Sequence, residues 1–183
     1  MASLNLRLSC DIKKELAKFD GGSGKFVFLT KIRNQEQKIF PINFKGEMCT
    51  AGISATEFAT GKSKKTCYSV GINVPESSQL QAIIQQMAWL AKEEAIKIWG
   101  EEEMDYVETI KDDDKIFIKL KTDAQFKNFN FKTNLPINPK KYSDTNGCDE
   151  ITFDGEASVW FNFEDKRYGL TFIPKRLTFH TEE

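Results

Sequence analysis

The hydrophobic period changes along the chain, and that change restricts the fold more than any other feature. Leu80, Ile83, Ile84, Met87, Leu90, Ala91, Ala95 and Ile98 recur at the spacing of a buried helical stripe. Ser78 stands where an N-cap belongs, Gln81 three residues on completes a capping box, and Gly100 is a natural stop. A core-facing helix is therefore predicted near 77–99, with Trp89 and Trp99 at its edge. Elsewhere the dominant period is two. Ile116, Ile118 and Leu120 share one face of a strand over Lys115–Lys121. Ala157, Val159, Phe161 and Phe163 share one face of a strand over Glu156–Phe163, with Trp160 opposite beside Ser158 and Asn162. Strands are also predicted over 25–33 and 38–44, joined as a hairpin by the polar turn 34–37, and over 66–74, 151–153 and 167–179. Asp11–Phe19 suits a short helix, Ala59–Lys65 a lysine-rich loop, and the acidic stretch after Gly100 a short helix or loop. Strands, one long inserted helix and more strands make a mainly β chain, which a small closed β-barrel fits best. The expected organisation is an N-terminal segment over 1–24, one barrel domain over 25–179 and a short tail over 180–183.

Phenylalanine is unusually abundant, with 15 residues in 183, so most of the rings are expected in the core. No apolar run approaches the roughly 20 residues that cross a bilayer, and Met1–Leu8 lacks the apolar stretch of a signal peptide. Cys10, Cys49, Cys67 and His180, like Cys148, are too scattered for a zinc site and read as residues of a reducing compartment, host cytoplasm or nucleus. The formal net charge of −1 hides a sharp segregation. Residues 93–114 carry ten acids against two lysines, and residues 115–141 carry seven lysines against one acid. Such a chain can still offer a basic groove, because the local field steers a polyanion; two solvated faces are the plainer alternative.

Signals for catalysis do not hold. Thr60-Gly61-Lys62-Ser63 invites a phosphate-loop reading, but the glycine required five positions earlier is Thr56, and a strand rather than a helix follows. The acids Asp112–Asp114, Asp149, Glu150 and Asp154 lie mostly in predicted loops, and His180 sits at a C-terminus expected to fray. No acid–base constellation is visible, so no enzyme activity and no cofactor are expected. What remains is lysine interleaved with aromatics. Phe117 projects with Lys115, Lys119 and Lys121 from the face opposite the isoleucines, and Phe129, Phe131 and Lys132 repeat the theme, as do Trp160 and the turn Lys166-Arg167-Tyr168. Single strands need this chemistry: bases stack on rings for about 1–3 kcal/mol each while lysines neutralise phosphates.

The order of elements carries a resemblance. The strand Lys65–Pro75 runs into the long helix and an acidic segment, followed by Lys115–Lys121, a loop, Gly155–Phe163 and a last strand through Tyr168-Gly169-Leu170-Thr171-Phe172. This resembles the single-stranded-DNA-binding proteins of T7-type phages and the related OB-fold proteins of large double-stranded DNA viruses, over roughly Phe26–Phe179 and in residue character rather than a short motif. The resemblance implies a viral protein that coats single-stranded DNA in replication and recombination, without cofactor, and that meets replication proteins such as polymerase or helicase. Lys62, Lys64, Lys65 and Tyr68 would then flank the groove. Phage members carry a long acidic tail, whereas this sequence closes on Thr181-Glu182-Glu183, so any tail-like role falls to Glu101–Asp114. Two alternatives stand beside this expectation: a structural or protein-interaction β-domain of a virion or replication complex, and an RNA-binding OB protein.

Overall fold

The computed structural model describes residues 4–18, 27–49, 53–61, 63–75, 78–100, 104–111, 114–122, 131–133 and 148–180. The chain is mainly β. Its elements are β1 Arg7–Leu8, α1 Ile12–Lys18, β2 Val27–Arg33, β3 Ile42–Glu47, β4 Ser54–Thr60, β5 Ser63–Asn73, α2 Gln79–Trp99, β6 Asp105–Val107, β7 Lys115–Thr122, β8 Phe131–Thr133, β9 Glu150–Asn162 and β10 Arg167–His180. Neither helix is long and apolar enough to cross a membrane. The residues group into two compact units, each drawn from three stretches of chain. One takes Met1–Phe40, Ser77–Thr109 and Glu156–Thr171, the other Pro41–Glu76, Ile110–Gly155 and Phe172–Glu183. Strands β9 and β10 contribute residues to both.

In the first unit, β1 and β2 pair antiparallel, β2 pairs antiparallel with the C-terminal part of β9, and β6 adds in parallel to the start of β10. Helix α2 forms as its pattern dictates. The Ser78 hydroxyl accepts from the Gln81 N–H at 3.3 Å, and the Gly100 N–H donates to the Ile96 carbonyl at 2.9 Å, so both ends are capped. Leu80, Ile84, Met87, Ala91 and Ala95 are buried, while Ile83, Leu90 and Ile98 are half-buried. Trp99 meets Phe161 and Phe163 edge-on, at centroid distances of 6.2 and 5.9 Å. The acidic stretch expected as helix or loop instead supplies β6, whose Tyr106 lies beside Tyr168 at 5.3 Å.

In the second unit, β3 pairs antiparallel with the N-terminal part of β9, and β8 lies parallel to the end of β10. A separate sheet runs β4-β5-β7. Ile151, Phe153, Leu177 and Phe179 are fully buried, as are Val70, Ile72, Ile116 and Ile118. Phe153 stacks on Phe44 at 5.2 Å and meets Phe172 edge-on at 5.9 Å. β9 and β10 approach closely at Gly155: a Cβ there would sit 2.2 Å from the Ile173 carbonyl oxygen and 3.0 Å from the Pro174 Cα. Just beyond, the buried face of β10 changes phase, from Phe172 and Pro174 to Leu177 and Phe179.

Several expectations are corrected here. The predicted hairpin over 25–44 is only a short arch: a bridge joins Arg33 and Ile39, and β2 and β3 each pair with a different part of β9. The region read as a loop over Ala59–Lys65 belongs to a tight β4–β5 hairpin, in which Thr60 faces Ser63. The strands expected over 151–153 and 156–163 are one strand. His180 is anchored rather than frayed, with Nε2 2.8 Å from the Thr152 hydroxyl and its carbonyl accepting from the Asp149 N–H. No closed five-stranded circuit is traced among the described residues, so the fold stands as mainly β with two helices.

Candidate nucleic-acid interface

Strand β7 alternates sharply between buried and exposed residues. Ile116 and Ile118 are 0% and 1% exposed, while Phe117 between them is 49% exposed. Physical cause lies in the neighbour: Phe117 stands opposite Gly71 on β5, which has no side chain to cover the ring. Lys119 stands opposite Ser69 and Lys115 opposite Asn73, so small and polar partners surround the phenylalanine. Lys119 is exposed and Lys115 half-buried. Neither has an acid partner among the described residues, whereas Lys31 pairs with Glu156 at 3.2 Å and Lys45 with Glu150 at 2.8 Å. The β7 face therefore offers an open ring with two lysines on the same strand that make no ion pair among the described residues.

The same sheet collects other expected residues at the level of strand position. Lys64 and Lys65 lie on β5 opposite Ala59 and Phe58 of β4, and Lys121 lies opposite Tyr68 beyond a register shift at Tyr68/Ser69. Tyr68 is half-buried. Phe131 and Lys132 lie on β8 in register with Leu177 and Thr178 of β10. Lys62 and Phe129 lie outside the described residues.

The remaining expected residues belong to the first unit. Trp160 is half-buried. Its indole lies over Gly169, where a Cβ would come within 3.0 Å of Cζ2 and Nε1, and its cross-strand partner is Leu29, itself 56% exposed. Arg167 is exposed, and Lys166 is half-buried in the turn, with φ of +53°. In that turn the Asn162 side-chain oxygen accepts from the Glu164 and Asp165 N–H groups at 3.1 Å. Tyr168 departs from the expected role. It is 2% exposed and stacked on Phe161 at 6.2 Å, leaving no ring face for a base. Its neighbours at two-residue spacing, Leu170 and Phe172, are buried too, and that run of apolar residues was the available signal. Burial, followed by repulsion from Tyr106, pushes the Tyr168 hydroxyl above its ordinary pKa, so it stays neutral.

One surface residue was missed. Trp89, expected only at the helix edge, is 63% exposed, and its indole N–H donates to Glu93 at 3.0 Å. Among the described residues no group of three or more His, Cys, Asp or Glu converges as a metal site would require. No family model matches the chain, and no curated protein or solved structure is detectably similar to it.

Proposed function

We propose that this chain is a viral single-stranded-DNA-binding protein, sequence-tolerant and non-enzymatic, acting in DNA replication and recombination from an OB-type β-barrel in the host cytoplasm or nucleus. One observation carries the reading: Phe117 is 49% exposed between two buried isoleucines, flanked by Lys115 and Lys119 without acid partners among the described residues. A large exposed ring costs free energy unless something covers it, and a nucleobase covers it at no cost in sequence preference. Lysines on the same strand then meet the phosphates. Free thiols at Cys10, Cys49 and Cys148 suit a reducing compartment. A second reading draws on β7 being an edge of its sheet, since an edge can accept a strand from a protein partner.

The test is fluorescence anisotropy with a labelled oligo-dT of about 30 nucleotides, which spans more than one OB site, beside the matching duplex and oligo-rU. Salt-sensitive binding to the DNA single strand over both competitors is expected. Phe117→Ala should weaken it by about 5- to 150-fold, the equivalent of one lost stacking contact. No binding at low salt turns the β7 face into a protein interface, and preference for oligo-rU makes the chain an RNA binder.

A further inference from the structure

Two arginines face each other across the first strand pair. Arg7 of β1 stands directly opposite Arg33 of β2, and like charges so placed repel and cost stability unless something offsets them. No acid does so: neither arginine makes an ion pair among the described residues, whereas Lys31, next along the same face, pairs with the buried Glu156 at 3.2 Å. Arg33 is held in place. Its Nε donates to the Ser9 hydroxyl at 3.0 Å and its Nη1 to the Gln37 carbonyl at 2.7 Å, and the Ser9 hydroxyl donates onward to the Lys31 carbonyl at 3.0 Å. The rest of its guanidinium fork, and the whole of the exposed Arg7, donate to nothing among the described residues. Farther along β2, the alternation that buries Thr30 and Ile32 turns Leu29 outward, 56% exposed, opposite the half-buried Trp160 of β9. Leu29 lies about 13 Å along the strand from Arg33.

Given the DNA-binding reading above, on which this depends, we propose that the first unit carries a second single-strand contact surface. Arg7 and Arg33 together clamp one backbone phosphate, and a base of the same strand packs on Leu29 and Trp160. A guanidinium presents paired N–H groups that match phosphate oxygens two at a time, so one phosphate between the two arginines turns a repulsive pair into a bridged one. The span from Arg33 to Leu29 falls within the four or more nucleotides, roughly, that a single-strand site covers. A free phosphate ion offers the same oxygens, but it gains nothing from the apolar end of the face, and Leu29 is what favours a strand.

Salt titrations of the full chain with labelled oligo-dT test this. Arg7 is bonded to nothing among the described residues, so Arg7→Ala removes no contact of the fold and should leave the circular dichroism spectrum unchanged. It should weaken binding by at least about 10-fold at low salt, as loss of a charged hydrogen bond does. Arg7→Ala, Arg33→Ala and the double variant should each lower the slope of log affinity against log salt by about 0.7, because every one of them loses the same single phosphate. The same losses should appear in a Phe117→Ala background, and Leu29→Ala should weaken binding by about 3-fold or more. At matched ionic strength, inorganic phosphate should displace the strand no better than chloride. Stronger displacement by phosphate that Arg7→Ala abolishes would make the ligand the free ion and overturn the strand assignment. Unchanged affinity and slope in Arg7→Ala, with Phe117→Ala still weakening binding, would overturn the second surface and leave the β7 reading standing, whereas a wild type that binds no strand overturns both.

Discussion

Gly155→Ala tests a close approach between β9 and β10 in the second unit. Gly155 does not have the positive φ found at Gly61 and Gly100, so the residue is required for space rather than for backbone conformation. An added Cβ would lie 2.2 Å from the Ile173 oxygen and 2.9 Å from the Phe153 Cζ. A relaxed carbon–oxygen contact needs about 3.3 Å, so β9 and β10 must part by roughly 1 Å. Two things resist that movement. Pro174 fixes its own φ, and on its other side Gly155 is held in register with Ile42 of β3. Overpacking of this kind costs about 1–3 kcal/mol, and backbone obstacles place it at the upper end. Restricting the unfolded chain returns about 0.4–1 kcal/mol. The expected net loss is about 2 kcal/mol, or a fall of roughly 4–8 °C in Tm for a chain of this size. Urea titration followed by circular dichroism reads it. Gly61→Ala is the control, because nothing lies within 4 Å there and only its φ of +62° is at issue. A Gly155→Ala protein within about 0.5 kcal/mol of the wild type, the noise of a neutral surface change, would refute the close approach.

Three further outcomes are expected. Replacing both Lys115 and Lys119 by Ala should reduce the slope of log affinity against log salt by about 1.4, at about 0.7 per phosphate contact on a single strand; an unchanged slope in titrations at four salt concentrations would place the phosphates elsewhere. Burial chiefly, and then the Glu108 charge, raises the Tyr106 hydroxyl above 10.0 despite its bond to Thr109. The folded state therefore keeps a proton that the unfolded chain releases, and stability should fall as pH rises above about 10 and less steeply in Tyr106→Phe, which urea midpoints on either side of that pH would reveal. Burial and then the Asp149 charge hold the Cys148 thiol above 9.0, so it should alkylate after Cys10 and Cys49 by mass spectrometry, since the thiolate is the reacting form.

Local periodicity made some of this molecule legible and left the rest hidden. Helix α2 was readable because its buried residues, its Ser78 cap and its Gly100 stop lie within one stretch. The outward turn of Phe117 was readable because Ile116 and Ile118 alternate with it. Pairing between distant segments leaves no such mark. Nothing in Asp105-Tyr106-Val107 announces a strand until β10 lies beside it, and nothing in residues 25–44 says that β2 and β3 will each pair with a different stretch of β9. Charge misled in one place: the lysines of 59–65 suggested a loop, whereas β4 and β5 pair there as a hairpin. Charge misled again at Tyr168, where Lys166 and Arg167 suggested a shared surface but strand alternation turns the ring inward. The exposure of Trp89, placed only at the helix edge by the sequence, was not legible, because a helical pattern identifies the buried stripe and not how far each outward residue is uncovered.

Because β9 and β10 give residues to both units, synthesis on the ribosome cannot complete one unit before starting the other. Until β9 emerges, β2 and β3 wait for their partner, and β6 and β8 wait longer still, for β10 at the far end of the described chain. Such long-range closure slows folding and leaves strand edges open to neighbouring nascent chains. Cutting the gene at any unit boundary would leave at least one unit divided between two fragments, so expression of the whole chain, with chaperones abundant, is the practical route to soluble protein.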